Sequence, residues 1–202
     1  MCRSSDGAAV AEVDLDAVDM SEPEVIAEAR RHGAAVVWAY SSRPPATPGF
    51  VSRPGYVRLH AEAPVTGPPL PRVAPDEYGS LLAQAFRGLW GHKWVDESAH
   101  LPNDDSVVIC LAEAGRPVGL CRMWPRARLA DQPGVVPAHR GTARAVALLA
   151  AGCSEMGPGP VDVDTWGESP DVIDAFCEQL RFEVVERRPG WELSLRTTAQ
   201  NL

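Results

Sequence analysis

Eleven residues, 134–144, decide the fold of this chain, and their sequence is GVVPAHRGTAR. Before them, the pattern predicts an extended segment over residues 128–136. After them, apolar residues at helical spacing predict a helix; they are Ala145, Val146, Leu148, Leu149 and Ala150. A turn between a strand and a helix aims several backbone N–H groups, and the positive end of the helix dipole, at one point. We therefore expect residues 140–144 to bind a phosphate or a pyrophosphate.

The segments on either side of this turn alternate between strand and helix patterns. Strands are predicted at residues 70–73, 106–112, 118–124, 128–136, 161–166, 182–185 and 191–195. Helices are predicted to begin at Pro75, after Gly141 and at Pro170. From about residue 70 the order is strand, helices, hairpin, strand, helix, strand, helix, strand, strand. This alternation predicts an α/β fold.

The turn resembles the coenzyme A motif of the GNAT superfamily of N-acetyltransferases, written Q/R-x-x-G-x-G/A. Arg140 takes the Q/R place, Ala143 the first glycine place and Ala145 the last place. Residues 177–182 (CEQLRF) are similar to the family's later signature, Tyr-x-x-Leu-Gly-Phe. The resemblance implies a mixed, mostly antiparallel sheet flanked by helices. It also implies that the motif strand and the next parallel strand splay apart.

The resemblance implies an enzyme that moves an acetyl group from acetyl-CoA to the amine of a small molecule. The implied coenzyme-binding residues are Val135, Val136, Arg140, Gly141, Thr142, Ala143 and Arg144. Val135 is the best backbone donor in the motif strand, because Pro133 has no N–H. For Arg144, a solvated helix residue is an equally good interpretation.

The candidate catalytic residues are less well specified by the pattern. Cys177 stands where the family has a tyrosine that protonates the leaving thiolate, although a helical core cysteine is the commoner role. Asp164, Glu168 and His92 are candidate general bases, and each is also consistent with an ordinary hydrogen-bonded side chain.

Three tryptophans, Trp90, Trp94 and Trp166, are candidate walls of the acceptor pocket, with core packing as the alternative. The chain departs from the family pattern at Ala143 and Arg181, which replace glycines, and at Pro170, which replaces an asparagine. These departures support a second hypothesis, a catalytically silent GNAT-fold protein that binds a small molecule or an acyl-CoA.

The first 66 residues resemble the C-terminal half of a second GNAT unit. They contain a predicted helix from Ser21, an apolar strand from Ala34 and a strand from Tyr56, but no phosphate-binding turn. The proline-rich segment 63–71 follows as a linker. We therefore predict a degenerate GNAT-like unit at 1–66, with an unrelated N-terminal cap as the alternative, and an acetyltransferase domain at 67–202.

The composition of this 202-residue chain limits the kinds of partner and the cellular compartment to be expected. Its formal net charge of −8 argues against nucleic acid as a partner, and no apolar run has the length of a membrane helix. The five cysteines are scattered and lack metal-site spacing, which favours reduced thiols in the cytoplasm and no metal. A homodimer is left open.

Overall fold

The computed structural model describes residues 2–4, 7–73, 75–91, 93–94 and 105–195. The helices are α1 (Glu22–Arg31), α2 (Pro75–Ala85), α3 (Thr142–Met156) and α4 (Pro170–Leu180), with a 3-10 turn at Pro137–His139. The strands are β1 (Cys2–Ser4), β2 (Ala9–Asp14), β3 (Val36–Tyr40), β4 (Val51–Ala61), β5 (Lys93–Trp94), β6 (Val107–Glu113), β7 (Arg116–Trp124), β8 (Leu129–Asp131), β9 (Gly134–Val135), β10 (Val161–Trp166) and β11 (Glu183–Ser194). In these residues no helix is both long and apolar enough to span a membrane.

All these strands belong to one mixed sheet. Its order is β5-β1-β2-β3-β11-β4-β10-β8-β7-β6, and β9 pairs with β7. Within the described residues, β2–β3 and β8–β10 are the parallel pairs, and the remaining pairs are antiparallel. The expected mixed, mostly antiparallel sheet is therefore confirmed.

Helices cover both faces of this sheet. α3 and α4 pack on one face, where Leu148, Leu149 and Phe176 are fully buried in the largest core cluster. α2 packs on the other face, where Leu81 and Phe86 contact a second cluster. Along β6 the side chains alternate between the two clusters, as the two-residue period of a strand requires.

Three sequence predictions about the strands were wrong. The predicted strand at 70–73 forms an isolated bridge, between Arg72 and Ile109, and is not one of the strands. No strand was predicted at residues 9–14, which form β2 beside β3. The predicted strand at 128–136 is divided into β8 and β9, because Pro133 has no N–H to continue a ladder. The two predicted strands at 182–185 and 191–195 are one strand, β11, whose register shift between Arg188 and Gly190 accommodates Pro189.

The N-terminal stretch contributes to the centre of the sheet. β4 lies between β10 and β11, with Val161 opposite Ala61 and Glu183 opposite His60. The sheet thus contains strands from both sides of residue 66. The division of the chain there, into a degenerate unit and an acetyltransferase domain, stays a prediction.

Candidate functional site

The candidate site is a fork in the sheet. β8 pairs with β10 as far as Asp131 and Asp164. The chain then leaves β10, and Gly134 and Val135 pair with β7. A cleft of about 400 Å³ opens at the fork; the lining residues include Pro133, Val135 and Glu168.

Gln132 holds the vertex of the fork. Its side chain is almost completely buried, at 1% exposure. Its Nε2 donates to the Glu168 carboxylate at 2.7 Å, and its Oε1 accepts the Trp166 N–H at 2.8 Å. Its own N–H bonds the Asp164 carbonyl at 2.9 Å. The sequence did not single out Gln132, because its partners follow from the pairing of β8 with β10.

Two helix N-termini converge on the cleft. Thr142 and Ala145 line it from the start of α3, while Ser169, Pro170 and Val172 line it from the start of α4. The first amides of each helix have no acceptor within the helix and can therefore donate to an anion, although the carboxyl groups of Glu168 and Asp171 line the same cleft. Gly141 is exposed and precedes α3, and a Cβ atom built on it would meet nothing within 4 Å.

The motif strand turns the backbone groups of Val135 away from β7, and the Val135 carbonyl accepts a hydrogen bond from Arg140 Nε at 3.2 Å. The Val136 N–H donates to the Val118 carbonyl at 2.9 Å, so its bonding groups point toward β7. Backbone groups alternate in direction along a strand, and the Val135 N–H therefore points away from β7. Gly134 is required behind this strand, since a Cβ there would lie 2.8 Å from the Phe86 ring.

The two arginines of the motif have partners within the protein. The Arg140 guanidinium bonds the Val135 carbonyl at 3.2 Å, and it also bonds the carbonyls of Ala85 and Arg87 at the end of α2. Arg144 makes two hydrogen bonds to the carboxylate of Glu113. Arg140 therefore joins the cleft wall to the end of α2, and Arg144 joins the first turn of α3 to the end of β6.

The candidate bases Asp164 and Glu168 lie in different surroundings. Asp164 is 8% exposed, and its carboxylate accepts hydrogen bonds from Arg58 Nε at 2.8 Å and the Tyr56 hydroxyl at 2.6 Å. Glu168 is half-buried and lines the cleft. Burial raises the pKa of Glu168, while hydrogen bonds from the Ser169 N–H and Gln132 and the charge of Arg140 oppose the shift.

A second carboxyl group with a raised pKa lies beside the fork. Burial raises the pKa of Asp131 to about 6, against the opposing charge of Arg122. Asp131 lies opposite Asp164 in the ladder but is not among the residues that line the cleft. The sequence did not single it out, because its burial depends on strand pairing.

Two of the three candidate tryptophans have described side chains, and both contact another aromatic ring. Trp90 contacts Trp38, with ring centroids 5.2 Å apart, and Trp166 contacts Tyr56 at 5.4 Å. Trp94 belongs to β5, and its side chain is outside the described part of the structure. His92 also lies outside the described residues. The roles of all three tryptophans stay predictions.

Cys177 lies in α4 and packs against the core cluster, half-buried. Burial is the main cause that raises the pKa of its thiol, which is therefore protonated at neutral pH. The residues of α4 that line the cleft end at Val172, more than one turn earlier. The proposed role of Cys177 as a proton donor stays a prediction.

The fork, the motif helix and the sheet order together define the GNAT fold, and solved structures confirm it. A GNAT-family protein from Novosphingobium aromaticivorans superposes with a TM-score of 0.50 at 19% identity, over 80% of this chain and 75% of that one. A GCN5-related N-acetyltransferase from Sphaerobacter thermophilus superposes with a TM-score of 0.52 at 16% identity, over 87% of this chain and 66% of that one. A conserved protein of unknown function from Staphylococcus epidermidis gives 0.53 at 10% identity, over 85% and 77%. No family model and no curated protein matches the sequence.

Proposed function

We propose that this protein is an acyltransferase that moves an acetyl group from acetyl-CoA to the amine of a small molecule. The observation that carries the proposal is the cleft at the fork. It combines the N-termini of α3 and α4, the N–H of Val135 and the carboxyl group of Glu168. Acyl transfer from acetyl-CoA to an amine requires a site that binds the coenzyme phosphates and a group that accepts the amine proton, and the cleft offers both.

The donor would bind by its pyrophosphate at the start of α3. The amides of Gly141, Thr142 and Ala143 supply hydrogen bonds there, since the turn has no side-chain cap. The pantetheine arm would extend along β9 and accept the Val135 N–H, as an added strand would. Val136 would contribute apolar contact only, because its N–H already bonds Val118.

In the reaction, the neutral amine nitrogen attacks the thioester carbonyl carbon, and a C–N bond forms. The C–S bond breaks and the electron pair leaves with sulfur. Glu168 accepts the proton that the attacking nitrogen loses and later releases it to solvent, and the thiolate takes one proton from solvent to give the free thiol of coenzyme A, so that no net proton is gained or lost. A carboxyl group whose pKa is raised toward neutrality is a better base than one of ordinary pKa.

The pH dependence of acyl transfer tests the assignment of Glu168. Because the base works when ionised, kcat/KM should rise as pH increases through the raised pKa of Glu168. Glu168→Gln should remove that rising limb and lower kcat/KM by roughly 10²-fold or more. Release of the coenzyme A thiol from acetyl-CoA, measured with a panel of amines, provides the rate.

Asp131→Asn is the matched control, since it neutralises the other carboxyl group with a raised pKa near the fork. We expect it to keep the rising limb. If Asp131→Asn removed the limb and Glu168→Gln retained it, the base would be Asp131 and the assignment of Glu168 would be wrong.

A silent binding protein with the same fold is the second candidate. It is favoured by the position of Cys177, which occupies the place of the family's acid yet lies outside the cleft lining. Acetyl-CoA binding without thiol release, across the whole amine panel, would support this candidate and overturn acyl transfer.

A further inference from the structure

A second cavity adjoins the cleft at the fork and shares three lining residues with it, Pro54, Leu89 and Gly167. Its volume is about 500 Å³, within the range of small-molecule pockets. We call it the Trp38–Trp90 cavity. Trp38 alternates along β3 with Val37 and Ala39, which pack against α1 on the opposite face of the sheet. A molecule in this cavity would therefore approach the fork from the face that carries Trp38, on the other side of the sheet from α1.

Apolar and aromatic side chains form most of the cavity wall. They are Val10, Val36, Trp38, Pro54, Leu89 and Trp90. The two indoles are in contact, and the Trp90 ring also meets the Tyr40 ring edge-on, with centroids 5.7 Å apart. A Cβ on Gly190 would lie 2.7 Å from the Trp90 ring, so the backbone of β11 supports this ring directly. The cavity thus offers a fixed aromatic surface.

The charged groups of the wall compensate each other. Arg53 Nη2 bonds Glu192 Oε1 at 2.9 Å. Because the two charges are paired, the wall has no net charge. A charged group on the part of a ligand inside the cavity would lose hydration without gaining an oppositely charged partner. A neutral, apolar body is favoured over a charged one.

We propose that the Trp38–Trp90 cavity binds the acyl acceptor, and that this acceptor is a primary amine with an aromatic body. The proposal rests on the acyl-transfer function inferred above and adds the substrate class. The aromatic ring packs against the wall that the paired indoles form, and the amine passes Pro54, Leu89 and Gly167 toward Glu168, which lines the adjoining cleft. Most of the wall comes from residues 8–54, so the N-terminal stretch supplies acceptor specificity.

Titration calorimetry without acetyl-CoA tests the cavity independently of turnover, with 2-phenylethylamine as the probe and 1,5-diaminopentane as the comparator. We expect 2-phenylethylamine to bind about tenfold more tightly, given the value of ring stacking and apolar burial. Equal or tighter binding of 1,5-diaminopentane would overturn the proposal. It would point instead to the neighbouring charged cleft, which Asp14, Glu186 and Tyr56 line.

Val36→Phe should fill the cavity and weaken 2-phenylethylamine about tenfold or more. Val185→Phe is its matched control, because Val185 is 56% exposed on β11 and lines neither cavity, and it should leave affinity unchanged. If Val36→Phe proved unfolded by circular dichroism, Trp90→Leu would carry the test through the lost stacking surface. Unchanged affinity in a folded cavity variant would overturn the assignment.

Thiol release separates this proposal from the proposed function. Binding of 2-phenylethylamine without thiol release would overturn acyl transfer and retain the cavity as an aromatic-amine site. Thiol release with 1,5-diaminopentane but not with 2-phenylethylamine would retain acyl transfer and overturn the cavity as the acceptor site.

Discussion

Replacing Gln132 by leucine should destabilise the fork, because the substitution removes both side-chain hydrogen bonds at its vertex. Leucine has a volume similar to that of glutamine, so the substitution leaves little empty space, and the cost of a cavity contributes little to the change in stability. The lost bond to the Glu168 carboxylate, 2.7 Å long, is of the charge-assisted kind and contributes about 1.5–3 kcal/mol. The Trp166 N–H, now without an acceptor, costs about 1–3 kcal/mol more.

The two terms together predict a loss of about 2.5–6 kcal/mol in the free energy of unfolding. For a chain of this size, each kcal/mol lowers Tm by about 2–4 °C, and the expected decrease is about 5–24 °C. Urea unfolding followed by circular dichroism gives the free energy, and a thermal scan gives Tm. The same variant should raise the pKa of Glu168 further, since the Gln132 hydrogen bond lowers that pKa.

Gln84→Leu is the matched control, because Gln84 lies exposed on α2 and bonds the Ser80 hydroxyl at 3.1 Å. It should change stability by less than about 0.5 kcal/mol. A loss below about 1 kcal/mol in Gln132→Leu would refute the reasoning, since neither hydrogen bond would then hold the fork.

Variants at three further residues have outcomes that follow from the described contacts. Gly141→Glu should abolish coenzyme A binding in calorimetry, because the new side chain blocks the amides and repels the phosphates. The protein should stay folded, since a Cβ at Gly141 meets nothing within 4 Å. Retained affinity would exclude this turn as the phosphate site. Arg128→Ala should cost about 1–3 kcal/mol in urea unfolding, since Arg128 bonds the Met156 and Gly157 carbonyls at the end of α3. Arg128→Gly should cost about 1 kcal/mol less, because φ is 54° at this residue, and a larger cost for glycine would contradict that explanation. Cys177→Ala should keep kcat for acyl transfer within about twofold and lower Tm by a few degrees, whereas a decrease of about tenfold or more would assign the thiol as the proton donor.

The local features of the site could be predicted from the sequence. The turn at 140–144 and the helix after it follow from apolar spacing and from the position of Gly141, which are properties of neighbouring residues. The splay at the fork followed from the family resemblance, and Pro133 supplies a local reason for it. Glu168 could be named as a candidate base because it lies near the C-terminal end of the predicted strand 161–166, where folds of this family open a cleft.

The long-range features could not be predicted in the same way. Gln132 and Asp131 acquire their burial and partners from the pairing of β8 with β10, and nothing in their local sequence marks that pairing. The cavity wall at Val10 and Trp38 depends on β2 and β3 joining the sheet next to β11. Residues 9–14 have too weak a pattern of their own to predict a strand; the pairing with β3 determines their structure.

The central position of β4 has a consequence for synthesis of the chain. Ala61 pairs with Val161, 100 positions later, and Val51 pairs with Glu192, further still. Because a chain is synthesised at about 5–20 residues per second, roughly 7–25 s pass between the synthesis of β4 and that of both strands that pair with it. During that time it exposes two unpaired edges, which favours aggregation. Arg53, Pro54 and Arg58 are the residue types that discourage edge pairing, and we expect them to keep the nascent strand soluble until β10 and β11 arrive.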